Sequence, residues 1–294
     1  LFLQYLIDGF ALGAIYGVLA LSYTLIFGVI RIVNFAQGEL ITLGGMGALG
    51  AWALTPGIPF GLRIVIIVLA GIITSCAAGL LMERFLFRNL LRRNSPALLG
   101  LIASLGVSLF LQNMLRIAVS SSDLVFPVII SIEPISFSGN LQISPVQITL
   151  CIILIFLSIA TYLVVEKTRF GFSIMAVRDN LTLASVIGMN VNQVLVGVFL
   201  VASVLAAIGG AMMGMYYGVV RYDIGFLPGI KAFTASIMGG VGNVRGAALC
   251  GLLLGIIESL GSTYISSAYK DGFAFLLLIL VLLLRPQGLL GTRE

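Results

Sequence analysis

From Gly9 to Ile30 the sequence runs without one charged side chain, and apolar stretches of similar character recur to its end. About 20 predominantly apolar residues cross a bilayer's hydrocarbon core as a helix, the form that satisfies its own backbone donors and acceptors where water is absent. This requirement constrains the chain more than any motif within it. The 294 residues are 60% hydrophobic and 9% charged, with a mean hydropathy of +1.17, so water is not the main solvent. The expected fold is an all-α polytopic membrane protein of about eight or nine transmembrane helices, some short or broken. It forms a single transmembrane domain over residues 1–294, without a soluble module. The chain opens at Leu1 rather than Met, and a few native residues are expected ahead of it.

The runs can be placed in order. Gly9 to Ile30 is the first span, ending at Arg31, and a polar break follows. Leu40 to Leu54 is short and Gly-rich and runs into Pro56 and Pro59, which stop a helix by removing backbone donors. Ile64 to Met82 and Ala97 to Val119 are the third and fourth spans. Ser120 to Ser144 reads as an ordered extramembrane loop with β-branched stretches such as Val128 to Ile132. Val146 to Val165 and Gln193 to Val220 are the fifth and sixth spans. Beyond them come a Gly-rich, moderately apolar stretch from Gly229 to Ala247, an apolar one from Ala248 to Leu260, and a last short span from Phe273 to Leu284.

Charge sets the expected orientation. The net charge is +5, but the cations fall between apolar runs rather than in aromatic-interleaved patches, so their partner is the lipid bilayer surface and not nucleic acid. Arg84 to Arg93, Lys167 to Arg178 and a tail bearing Arg285 and Arg293 hold most of them. One alternating topology puts all three on the cytoplasmic side, where Lys and Arg accumulate. The loop from Ser120 to Ser144, with Asp123 and Glu133 and no Lys or Arg, then lies outside with the N-terminus. Cys76, Cys151 and Cys250 sit in apolar runs, so no disulfide framework is implied.

Four features stand out against this background. VNFAQGELITLGG, Val33 to Gly45, sets Asn34, Gln37 and Glu39 between two apolar spans. Irregular backbone at membrane depth is tolerated where it is buried in protein or lines a wet cavity, and an intramembrane carboxylate marks a functional site by default. The alternative is a cytoplasmic turn with Glu39 near a helix N-terminus, where the dipole favours an anion. A second stretch, GIKAFTASIMGGVGNVRGA, echoes the first, with Phe35 ahead of the tetrad Gly44 to Gly47 and Phe233 ahead of Gly239 to Gly242. The echo fits a pseudo-repeat of two halves with broken helices at a shared site; glycines at this spacing equally permit close helix packing. TRFGFSIMAVRDNLTLASVIGMN, Thr168 to Asn190, is the longest charged interruption. From Ser173 to Ile187, Met175, Ala176, Leu183, Ala184 and Ile187 share a helical face with Arg178, Asp179 and Asn180 toward water, either docking a soluble partner or lying in the interface. Glu258 is a further intramembrane carboxylate, ordinary if it is exposed near the outer side.

Absences narrow the chemistry. The chain has no histidine, hence no HExxH zinc site and no histidine relay. None of Lys167, Lys231 and Lys270 follows a glycine, so the phosphate-binding loop GxxxxGK[ST] is missing. ATP hydrolysis is not expected of this chain.

In order, VNFAQGELITLGG, TRFGFSIMAVRDNLTLASVIGMN, GIKAFTASIMGGVGNVRGA and YKDGFAFLLLILVLLLRPQGLLG resemble successive signatures of the branched-chain amino-acid ABC-importer permeases, LivH type. The resemblance covers nearly the whole chain. It implies a bacterial inner-membrane permease that pairs with a LivM-type second permease, two cytoplasmic ATPase subunits and a periplasmic solute-binding protein. It also implies that ATP and Mg2+ are used by those partners and that no cofactor is bound by this chain. The family's ATPase-coupling segment maps onto Arg178, Asp179, Asn180, Ala184 and Gly188, although the cytoplasmic EAA triplet is absent here. The expected translocation path involves Asn34, Gln37, Glu39, Gly44, Gly45, Gly239 and Gly240. The resemblance implies branched-chain or other neutral amino acids as cargo, with urea or short amides as the alternative. The rival from another class is a stand-alone channel or ion-coupled carrier with Glu39 or Glu258 as the ion site. A membrane-embedded enzyme lacks a visible nucleophile–base or metal constellation.

Overall fold

The computed structural model describes residues 2–291 apart from 94, 120, 131–132, 138–140 and 286; Ser120, Ile132 and Arg293 of the expected loop and tail lie outside the described residues. Among the described residues, seven stretches are long and apolar enough to cross a membrane. They are α1 (Phe2–Ile30), the rod Phe60–Arg92, α5 (Ala97–Ala118), α6 (Pro145–Lys167), α9 (Val191–Tyr217), α11 (Val244–Tyr264) and Ser267–Leu284. The rod joins α3 (Phe60–Met82) to α4 (Arg88–Arg92) through a π-helical turn at Glu83–Phe87. Two shorter helices, α2 (Gln37–Leu54) and α10 (Phe226–Gly239), are the short members of the set. Between spans lie α7 (Arg169–Asp179) and α8 (Leu181–Val186), and the last span, Ser267–Leu284, contains α12 (Lys270–Leu284).

Burial separates an axis from a periphery. The most apolar window of α1 is 89% buried by protein, whereas that of Ser267–Leu284 is 6% buried. The two windows are equally apolar on average, so overall side-chain character does not make the difference. Small residues do. Gly9, Gly13 and Gly17 form a stripe along α1 that meets Gly251 and Gly255 of α11; a Cβ on Gly251 would lie 2.4 Å from the Gly17 Cα. Helices in lipid gain from such backbone contact because no water is released by burying apolar side chains. Helices α3, α5 and α6 are mostly exposed in the isolated chain, with Ile73, Ile117 and Phe156 among their most exposed side chains.

The π-helical turn has a local cause and effect. Its geometry brings residues five apart into register, and Arg88 grips the buried Glu83 with Nε and Nη2 at 2.9 and 2.8 Å.

The basic segments converge at one end of the molecule. Arg88 and Arg92 border a groove with Leu181 and Ser185, Arg178 lies against Gly242, which packs on Gly28, and the Leu289 amide donates to Met238 O at 2.7 Å. At the opposite end the Gln142 amide donates to Gln4 Oε1 at 3.0 Å and Gln147 to Asp8 at 2.6 Å. There β1 (Leu124–Val125) pairs antiparallel with β4 (Val219–Val220), and β2 (Ile135–Phe137) with β3 (Leu141–Ile143). The described parts of the outer loop thus carry β1, β2 and β3, and the end of the Val128 to Ile132 stretch lies outside the described residues.

The sixth span stops at Tyr217, with Val220 in β4, and two breaks also differ from the sequence reading. The break in the last third falls at Gly240–Asn243 instead of Ala247, because Gly240 and Gly242 adopt φ of 99° and 77°, conformations that only glycine takes freely, and Asn243 Oδ1 caps α11 through the Gly246 amide. The Ser173 to Ile187 stretch is not one helix. Asn180 Oδ1 accepts from the Thr182 and Leu183 amides and starts α8 afresh, so Met175, Leu183 and Ile187 are exposed while Ala184 is buried.

Candidate functional site

The two short helices begin inside the protein. After α1 ends at Arg31 in a left-handed conformation, the chain doubles back so that Gln37, first residue of α2, donates to Ser22 in the body of α1. After α9 ends at Gly218, also left-handed, it doubles back from the other end and starts α10 beside α2. The Gly225 amide donates to Thr42 Oγ1 at 3.1 Å, and a Cβ on Gly38 would lie 2.8 Å from Gly225 O. Two helix N-termini therefore abut within the fold, approached from opposite ends. That is the arrangement in which inverted transporter repeats direct partial positive charge at a substrate.

A cavity of about 700 Å³ opens toward the end that carries β1 and β4. Tyr16, Lys231 and Asp271 line its depth, Gln112, Met213 and Tyr217 its sides. Lys231 Nζ lies 2.8 Å from Glu258 Oε1, 2.7 Å from Asp271 Oδ1 and 3.3 Å from the Tyr16 oxygen. The Tyr16 hydroxyl in turn donates to Glu258 Oε1 at 3.2 Å. Lys270 Nζ stands 3.7 Å from the same oxygen. Two ammonium and two carboxylate groups thus balance. Lys231 and Glu258 side chains are 4% and 1% exposed, against 52% for Asp271. Desolvating such an ion pair costs several kcal/mol per ion and is offset only by close, saturated geometry. At the rim Arg221 forks onto Asp223, whose carboxylate raises the guanidinium above its ordinary value.

The predicted polar residues lie behind this cavity. Glu39 is fully buried, and its Oε1 accepts from Ser108 at 2.9 Å and from Gln112 at 2.8 Å, so it holds a side chain that the cavity sees. Asn34 donates to Gln37 at 3.2 Å, Gln37 to Ser22, and Ser22 to Ala202 O at 2.7 Å, a polar thread from α2 through α1 into α9. Glu39 is thus both buried and in the first turn of α2.

The glycine tetrads occupy unlike positions. Gly44 packs on Ala207 and Gly45 on Gly210 of α9, while Gly239 packs on Gly246 and Gly240 on Gly291. The first tetrad lies mid-helix, and the second ends α10 and makes the turn. Their aromatic companions do meet: Phe233 sits 6.5 Å from Phe35, 5.6 Å from Phe27 and 5.9 Å from Tyr23, ring centre to ring centre.

On the basic end, α8 and the Ile187 that follows it present Leu183, Val186 and Ile187 outward at 62%, 76% and 68% exposure. Asp179 and Asn180 are exposed, Ala184 is buried, and Gly188 turns with φ of 86°. Among the described residues no cluster of three His, Cys, Asp or Glu is placed to hold a metal ion.

Sequence reasoning passed over Tyr16, Lys231 and Asp271. The signal for one of them was present: Lys231 is a lone ammonium between apolar residues of GIKAFTASIMGG, and an intramembrane charge demands a partner.

Comparison with known proteins adds a second line. Residues 5–282 match the family described as branched-chain amino acid transport system / permease component. The chain is 36% identical over 299 residues to the high-affinity branched-chain amino acid transport system permease protein LivH of Escherichia coli K12, covering 100% of this chain and 96% of that one. It is 36% identical over 301 residues to BraD of Pseudomonas aeruginosa, a permease of the same description, covering 100% and 97%. A probable branched-chain amino acid transport permease, LivH of Methanocaldococcus jannaschii, is 28% identical over 289 residues, covering 93% and 88%.

Proposed function

The chain belongs to the branched-chain amino acid transport permease family, and from that premise we propose that it is the LivH-type permease subunit of an ATP-driven importer for branched-chain or other neutral amino acids. The full-length similarity to LivH and BraD carries this reading. On it, the chain is one transmembrane domain in a bacterial inner membrane and forms the path with a LivM-type second permease. Two cytoplasmic ATPase subunits use ATP and Mg2+, and a periplasmic protein delivers the solute. The basic end, with Arg88, Arg92 and Arg178, faces the cytoplasm, and the cavity faces the side of delivery.

The geometry supports a mechanism for this subunit. Solute enters the cavity above Tyr16 and Lys231, where the start of α10, whose Phe226, Leu227 and Pro228 line it, supplies partial positive charge. The cluster of Tyr23, Phe27, Phe35 and Phe233 closes the way to the basic end. Asn34, Gln37 and Glu39 hold α2 in place behind the cavity wall, and the packed glycines Gly44, Gly45, Gly239 and Gly240 let helices shift against one another without side-chain collision. The coupling segment is α7 and α8: Asn180 and Gly188 bound α8, Ala184 seats it, Arg178 ties it to the turn at Gly242, and Asp179 faces the ATPase. Contacts in the path are transient, since tight binding hinders release.

Vesicles carrying both permeases and both ATPases should accumulate leucine when ATP is inside and binding protein outside. This chain alone should accumulate nothing. Concentrative uptake by the chain alone, collapsed by an ionophore, would replace this reading with an ion-coupled carrier; ATP-driven uptake of urea but not leucine would replace the cargo.

A further inference from the structure

The Lys231 ammonium has three protons and three acceptors: Glu258, Tyr16 and Asp271. It is saturated, so anything that binds there must displace one of them. Glu258, 1% exposed, would lose its close cation if released and keep only Lys270 at 3.7 Å, a poor exchange for a buried carboxylate. Tyr16 is equally buried and is tied to Glu258. Asp271 differs on every count. It is half exposed, lines the cavity, and starts α12, the least protein-covered of the spans. Its release costs little because water can solvate it.

We propose that Lys231 and Asp271 form a two-pole transit site for a zwitterion. The solute's carboxylate takes the place of Asp271 on Lys231, and the Asp271 carboxylate so released takes the solute's ammonium. The exchange leaves the charge of the cavity unchanged and keeps three acceptors on Lys231, while Glu258 and Tyr16 hold the ammonium in place throughout. Met213, Tyr217 and Leu227 line the same cavity and offer apolar surface to a branched side chain. An uncharged amide has no anion with which to replace Asp271 and leaves the ion pair closed. The inference deepens the function proposed above and rests on it.

The test uses the complete importer in vesicles with the substitution Asp271→Asn. Leucine uptake, ATP hydrolysis and inhibition by 4-methylpentanoate, which is leucine without its amine, are measured against the unaltered complex. The expected result is uptake lowered about tenfold, the loss of one charge-assisted contact, with ATP hydrolysis retained. The residual uptake should become sensitive to 4-methylpentanoate, because the freed Lys231 now accepts a lone carboxylate. Unaltered uptake would overturn the proposal. So would lowered uptake that ignores 4-methylpentanoate, since that is the signature of a purely structural ion pair. Failure of the unaltered complex to move leucine is a different outcome and strikes the importer reading itself.

Discussion

Gly13 and Gly255 stand backbone against backbone: a Cβ on Gly255 would lie 2.1 Å from the Gly13 nitrogen. Because α1 is the buried axis of the protein, this contact fixes how α11, with Glu258, stands relative to Tyr16. Gly255→Val is expected to abolish recovery of folded, monodisperse protein from membranes. Gly106→Ala, at a position with open space around it, should leave yield and thermal transition unchanged. Equal behaviour of the two variants would remove the glycine stripe as an organising contact.

The Lys231–Glu258 pair predicts a rescue. Lys231→Met alone takes the close cation from buried Glu258 and leaves only Lys270 at 3.7 Å, at a cost of up to about 3–5 kcal/mol. The double change Lys231→Met with Glu258→Gln removes both charges and should recover most of the thermal stability, although not transport. A double variant no more stable than the single one would mean that the two groups are not coupled.

Glu39→Gln keeps an acceptor for Ser108 and Gln112 but removes the charge, and Asn34→Ala cuts the thread to Gln37. Both should alter leucine uptake kinetics while the subunits still assemble. Normal kinetics in both would take these residues out of the transport machinery.

The outward face of α8 predicts where coupling fails. Val186→Glu and Ile187→Glu put charge on exposed apolar positions without disturbing the fold, and ATPase recovered with the permease should fall severalfold. Ala184→Arg should instead unseat α8. Undiminished co-purification with the two exposed variants would place the ATPase elsewhere.

Asn180 supplies the cap that separates α8 from α7. Asn180→Ala should destabilise α8 by about 1 kcal/mol, read as faster hydrogen exchange at Thr182 to Val186 with no change in the spans.

What the sequence determined by itself was the solvent and the lengths. Charge-free runs oblige helices, prolines 56 and 59 close α2 where expected, and the spacing of cationic segments assigns them to one end, where Arg88, Arg178 and the tail do converge. These properties follow from local composition, because lipid leaves the backbone few alternatives. Tertiary structure decided which residues share a site. Lys231, Glu258, Asp271 and Tyr16 come from four helices, and no periodicity along one segment reports a contact between residues as distant as Tyr16 and Glu258. It also decided that the glycine tetrads are not equivalent, since one packs mid-helix on α9 and the other makes a turn. A buried charge announces in sequence only that it needs a partner; the packing of α1 on α11 selects which one.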